Sequence, residues 1–175
     1  MHSPLALAIL ALSPVTEVDP DILFSKEQTL GAVVDTVEIW VEEPGWANPQ
    51  RVALEFLIRR TISYSPRLKL PARWHARKTI SWANHVTCPQ ALVRLEELSR
   101  LEAPAVTVNG FSPERAITVR ADGAIYRLAV EGYYPSEPGR MDLTFGRDTP
   151  VAAWIDGTFL TVAPCWQSEP PEQRD

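Results

Sequence analysis

Sixteen of the 175 residues are proline, spread from one end of the chain to the other. Each proline fixes one backbone dihedral and removes one amide donor, so each is a poor guest inside a helix or a central strand. A chain punctuated this often must turn frequently and can hold few long helices. The sequence is therefore best read as short elements between breaks.

The first clear element is VVDTVEIWVEE at 33–43, where Val37, Ile39 and Val41 alternate with Glu38, Trp40 and Glu42. That period of two is the signature of a half-buried strand, and Pro44-Gly45 ends it. Next, NPQRVALEFLIRRTI places Leu54, Leu57, Ile58 and Ile62 at helical spacing. Asn48 suits an N-cap, Pro49 suits the first helical position, and Arg51, Glu55 and Arg59 form a polar stripe. The pattern predicts a helix over 48–62. A second helix is expected over 88–102, capped by Thr87 with Gln90 and presenting Ala91, Leu92, Leu95, Leu98 and Leu101 on its apolar face.

The rest reads as antiparallel strands. Runs at 105–108, 117–120 and 125–130 flank Asn109-Gly110 and Asp122-Gly123, and AAWI and FLTVA flank Asp156-Gly157. Such dipeptides favour the positive φ of tight hairpin turns. RMDLTF at 140–145 is a further strand, and EGYYPSEPGR at 131–140 reads as a long inter-strand loop carrying Tyr133 and Tyr134. The expectation is an α+β fold: an N-terminal strand and two helices followed by a meandering antiparallel β-sheet. A single domain would cover 1–166, with a flexible polar tail at 167–175.

Composition narrows the function classes. Hydrophobic residues make up 45% and charged residues 22%, close to globular averages. The net charge of −5 argues against the whole surface acting as a general nucleic-acid or membrane binder. The apolar run Leu5–Leu12 is too short to span a bilayer, which needs about 20 residues. It lacks the preceding Lys or Arg and the small-x-small site of an export signal, so it reads as a buried strand or short helix. No membrane span and a cytoplasmic location are expected. One bridge between the two cysteines, Cys88 and Cys165, would require export.

Charge is distributed unevenly. No Asp or Glu occurs at 56–95, a stretch that holds Arg59, Arg60, Arg67, Lys69, Arg73, Arg77, Lys78 and Arg94. The remainder of the chain is correspondingly acidic. Tyr64, Trp74 and Trp82 are interleaved with the cations, as are His75 and His85. Three accounts fit. The acidic remainder could neutralise these cations internally, an acidic protein surface could receive them, or a nucleic acid or phosphorylated ligand could bind through ion pairs and ring stacking.

Other chemistry is thinner. His75, His85, Cys88 and Cys165 are ligand types that zinc accepts, but no paired spacing anchors them. Cys88, at a helix start with His85 three residues before it, could serve as a thiol nucleophile with a base. Glu42-Glu43, Glu96-Glu97 and Asp142 could supply acid and base, though nothing sets two of them across a cleft. No glycine-rich phosphate loop is present. The reading adopted is a non-enzymatic binding or adaptor protein, without cofactor or metal, that meets an acidic macromolecular partner through 59–78. Arg67, Lys69, Arg73, Arg77 and Lys78 would supply the charge, and Tyr64 and Trp74 the anchors. A nucleic-acid-associated protein using the same segment is the alternative, and a thiol-dependent enzyme centred on Cys88 and His85 the second.

Overall fold

The computed structural model describes residues 19–28, 33–42, 54–65, 69, 71–102, 123–134 and 137–171. They form one six-stranded antiparallel sheet with short helices packed against it. The strands are β1 (Ile22–Gln28), β2 (Val33–Glu42), β3 (Glu55–Tyr64), β4 (Lys78–Asn84), β5 (Ala124–Tyr134) and β6 (Glu137–Phe145). Their spatial order is β4-β3-β2-β1-β5-β6. Thus β1 to β4 step outward as a meander to one edge, while β5 and β6 form a hairpin on the other side of β1. The helices are α1 (Ala72–His75), α2 (Ala91–Ser99) and α3 (Pro150–Val162), the last running into a 3-10 turn at Ala163–Cys165.

Register assigns the faces. Ile22 lies opposite Ile39 and Val130, Phe24 opposite Val37 and Leu128, and Ile39 opposite Ile58. These side chains share one face and build the core with Trp154, Ile155 and Val162 of α3 and Ala91 of α2. Phe24 is fully buried, with Trp154 and Phe159 edge-on at 5.2 and 5.5 Å. Such T-shaped pairs match the positive edge of one ring to the negative face of another.

The fold expectation needs correction. The chain is mainly an antiparallel sheet, four of its strands precede α2, and its longest helix comes last. The segment read as a first helix, 48–62, supplies β3 instead. The apolar residues there fit both periods. Phe56 and Ile58 face the core while Leu57 lies on the opposite face, so the strand's alternation is masked. Pairing with β2 and β4 settles the conformation, and Arg59 and Arg60 find their carboxylates across the sheet rather than four residues along a helix. Tertiary context overrides local propensity here. Residues 43–53, including Asn48 and Pro49, lie outside the described residues.

The expected hairpin at Asp156-Gly157 is also wrong, because both residues lie inside α3. Thr149 caps that helix by accepting the Ala152 amide at 3.1 Å, and Pro150 occupies its first turn. Gly157 answers a packing need: a Cβ there would sit 2.6 Å from the Arg94 guanidinium. The inter-strand loop expected at 131–140 is largely strand, with Tyr133 opposite Pro138 and Tyr134 opposite Glu137. Pro138 is tolerated because β6 is an edge strand, where an amide can be spared. Strand β2 and helix α2 occur where expected, although Thr87 receives the Asn84 amide instead of capping α2. The runs at 5–12, 105–108 and 117–120 lie outside the described residues.

Candidate functional site

The cations of the acid-free segment fall into two groups. Neighbours on β3 point to opposite faces, so Arg59 and Arg60 meet different partners. Arg59 donates from Nε and Nη2 to Glu38 at 2.7 and 2.8 Å and lies between the rings of Trp40 and Trp82. On the core side Arg60 makes the same forked contact to Asp35, at 2.9 and 2.6 Å, between Phe159 and Trp166. Hydrogen bonding to these carboxylates outweighs burial and raises both guanidinium pKa values. Arg94 on α2 is also occupied. It donates to Trp154 O at 2.8 Å and Thr158 Oγ1 at 3.2 Å, and it pairs with Glu97.

The β3–β4 connection differs. Pro71 O accepts the Trp74 amide and Trp74 O accepts the Arg77 amide, closing α1 into one tight turn. This turn lays Trp74 back onto Tyr64, ring centroids 5.6 Å apart and edge to face, with Arg77 over the Trp74 ring at 4.6 Å. Lys69, Arg73, Arg77 and Lys78 are exposed. Among the described residues, none of the four has a carboxylate within salt-bridge distance. Six of the seven residues selected from the sequence are therefore placed near the start of the β4 edge. Arg67 lies outside the described residues, as does the side chain of His75.

The cysteine readings end differently. Cys88 and Cys165 form a disulfide, with Cα atoms 5.4 Å apart and Cys88 fully buried. Neither sulfur is then a thiolate, so neither a Cys88–His85 nucleophile pair nor a zinc site using both sulfurs can form in this state. His85 instead packs edge-on against Phe56. Among the described residues, no cluster of His, Cys, Asp and Glu could hold a metal ion. No described helix is long and apolar enough to cross a membrane.

A cleft of about 400 Å³ is lined by Lys26 and Asp35 of the sheet and by Asp156, Phe159 and Leu160 of α3. Its charged groups are already matched. Lys26 Nζ donates to Asp156 Oδ1 at 2.7 Å, the Tyr126 hydroxyl donates to Oδ2 at 2.8 Å, and Asp35 holds Arg60. Burial works against the Lys26 ammonium, yet its hydrogen bonds and the Asp156 charge prevail and raise its pKa above the ordinary 10.5. Burial, then the bond to Asp156, raises Tyr126 above 10.0. Lys26 is thus kept as a cation, the opposite of what a nucleophilic lysine requires.

The sequence reading overlooked β4. Its segment KTISWAN alternates, with Ile80 and Trp82 on one face, and that period was obscured by the surrounding charge. Ile80 is 44% exposed on this edge strand. Comparison with protein-family models, with curated proteins and with solved structures found no match.

Proposed function

We propose that this is a non-enzymatic binding or adaptor protein that engages an acidic macromolecular partner through the β3–β4 connection. Lys69, Arg73, Arg77 and Lys78 supply the charge, joined in sequence by Arg67. Tyr64 and Trp74 supply a firm aromatic base, since Trp74 is clasped between Tyr64 and Arg77. One observation carries the reading. Within a single acid-free stretch, the β3 and α2 arginines are held by the protein's own carboxylates, whereas no described carboxylate reaches these four cations. Exposed cations that no described carboxylate reaches favour steering and docking of an acidic surface.

Poly-glutamate is a suitable probe. Binding to it at low salt should weaken as salt rises and should disappear in the triple variant Arg73→Ala, Arg77→Ala, Lys78→Ala. No binding to the wild-type protein at low salt would overturn the proposal. Preferential binding of duplex DNA or RNA would replace it with the nucleic-acid reading. The Cys88–Cys165 bond supports a working place where thiols are oxidised, rather than the cytoplasm expected from the N-terminal sequence. Labelling of free thiols in the protein isolated from its host under denaturing, non-reducing conditions should find none.

A further inference from the structure

Among the described residues, the edge strand beside these cations carries unused pairing capacity. Trp82 donates its amide to Gln167 O at 2.8 Å and accepts the Gln167 amide at 2.9 Å, so its backbone groups point away from β3. Along a strand, residues two apart direct their backbone groups the same way. Lys78 and Ile80 therefore also aim their N–H and C=O groups outward, while Thr79, Ser81 and Ala83 serve the β3 ladder. The C-terminal segment, among the described residues, pairs with this edge at Trp82 through Gln167. Among the described residues, no backbone partner meets Lys78 or Ile80.

We infer that β4 is the docking edge for an extended acidic peptide segment of the partner, which adds as a strand along Lys78–Ile80 under the cations of the β3–β4 connection. This rests on the binding proposal above and specifies its mode. Strand addition takes affinity from main-chain hydrogen bonds and selectivity from alternate side chains. Exposed Ile80 offers an apolar contact on one face of the added strand. Lys78 lies two residues before it on the same face, and Arg73 and Arg77 stand beyond the strand's start, so the neighbouring peptide positions should be Asp or Glu. Charge also argues against a second copy of this chain. Pairing two β4 edges would bring two sets of exposed cations together, and like charges opposed across strands are destabilising.

The test uses an acetylated, amidated heptapeptide with a Val-Thr-Val centre and two glutamates on each side. Titrated into the full chain at low salt, it should bind saturably and slow hydrogen exchange at the Lys78 and Ile80 amides. Replacing its glutamates by lysine should abolish binding. Ile80→Pro removes only an outward amide, a change that edge strands accept. It should weaken binding about tenfold or more, equivalent to about 1.4 kcal/mol. Methylating the peptide's central amides should do the same without altering the protein. The Arg73→Ala, Arg77→Ala, Lys78→Ala variant tests the parent reading separately. If that variant loses binding while Ile80→Pro and the methylated peptide bind normally and the two amides exchange as before, strand addition is wrong and the basic surface survives. If the peptide does not bind while poly-glutamate does, strand addition is wrong and the basic surface survives; if binding survives the charge variant, both fail. Concentration-dependent protection of these amides without peptide would identify a second copy as the occupant and overturn the inference.

Discussion

Arg60 and Arg77 carry the same charge in the same acid-free stretch, and both lie against aromatic rings, yet their surroundings set them different tasks. Arg60 sits on an interior strand with Asp35 bidentate to it, three-quarters of its side chain removed from solvent. Arg77 sits on an exposed turn with Trp74 beneath it and no described carboxylate within reach. Charge inside the sheet holds strands together, whereas no described carboxylate reaches the charge outside it. A sequence displays both kinds as one basic block, and only strand pairing separates them.

The Cys88–Cys165 crosslink provides a yardstick for that contrast. It joins residues 77 apart, and a closure of that length contributes about 4 kcal/mol in the chain-entropy account. Reduction, or the Cys88→Ala, Cys165→Ala variant, should lower the denaturation midpoint accordingly. A negligible shift would mean that the sheet and helices hold without it.

A smaller loss, about 2 kcal/mol, is expected for Asp35→Ala, which strands a largely buried guanidinium. A double-mutant cycle with Arg60→Ala should return a clear coupling energy. Zero coupling would erase the distinction between the two groups of cations.

Alkaline titration probes the matched charges of the cleft. The folded state holds protons on Lys26 and Tyr126 above their ordinary values of 10.5 and 10.0, where the unfolded chain has begun to release them. These contributions are complete below about pH 10 and decline as pH rises through the folded values. Lys26→Met should reduce that decline in urea midpoints measured from pH 9 to 11.

The smallest effect belongs to the outer cations. The triple variant Arg73→Ala, Arg77→Ala, Lys78→Ala should cost no more than about 1.5 kcal/mol in total, about 0.5 kcal/mol for each surface position. A loss well above that would show that these side chains serve the fold.

What could be read from the sequence follows from the number of faces an element uses. Strand β2 alternates visibly because its core face carries Val37 and Ile39 while Glu38 and Trp40 lie opposite. Helix α2 shows its apolar stripe because the other side is solvated. Strand β3 has Leu57 on one face and Phe56 and Ile58 on the other, which reads equally as helix until its neighbours are known. Helix α3 contains Asp156-Gly157, a turn signal in most settings. In the fold Thr149 and Pro150 start that helix, and the space needed by Arg94 explains the glycine. The selected cations were visible as a cluster, but their separation from Arg59 and Arg60 depended on Glu38 and Asp35, more than twenty residues away.

Gly157 has a wider mechanical consequence. Arg94 of α2 fills the room that its missing side chain leaves on α3, and the crosslinked sulfurs tie the start of α2 to the turn after α3. The two helices are thus buckled together at separate points, like two slats of one shutter. Any opening that wets Phe24 should lift them as a unit, and amides on both should exchange with a shared opening energy rather than fray one after the other.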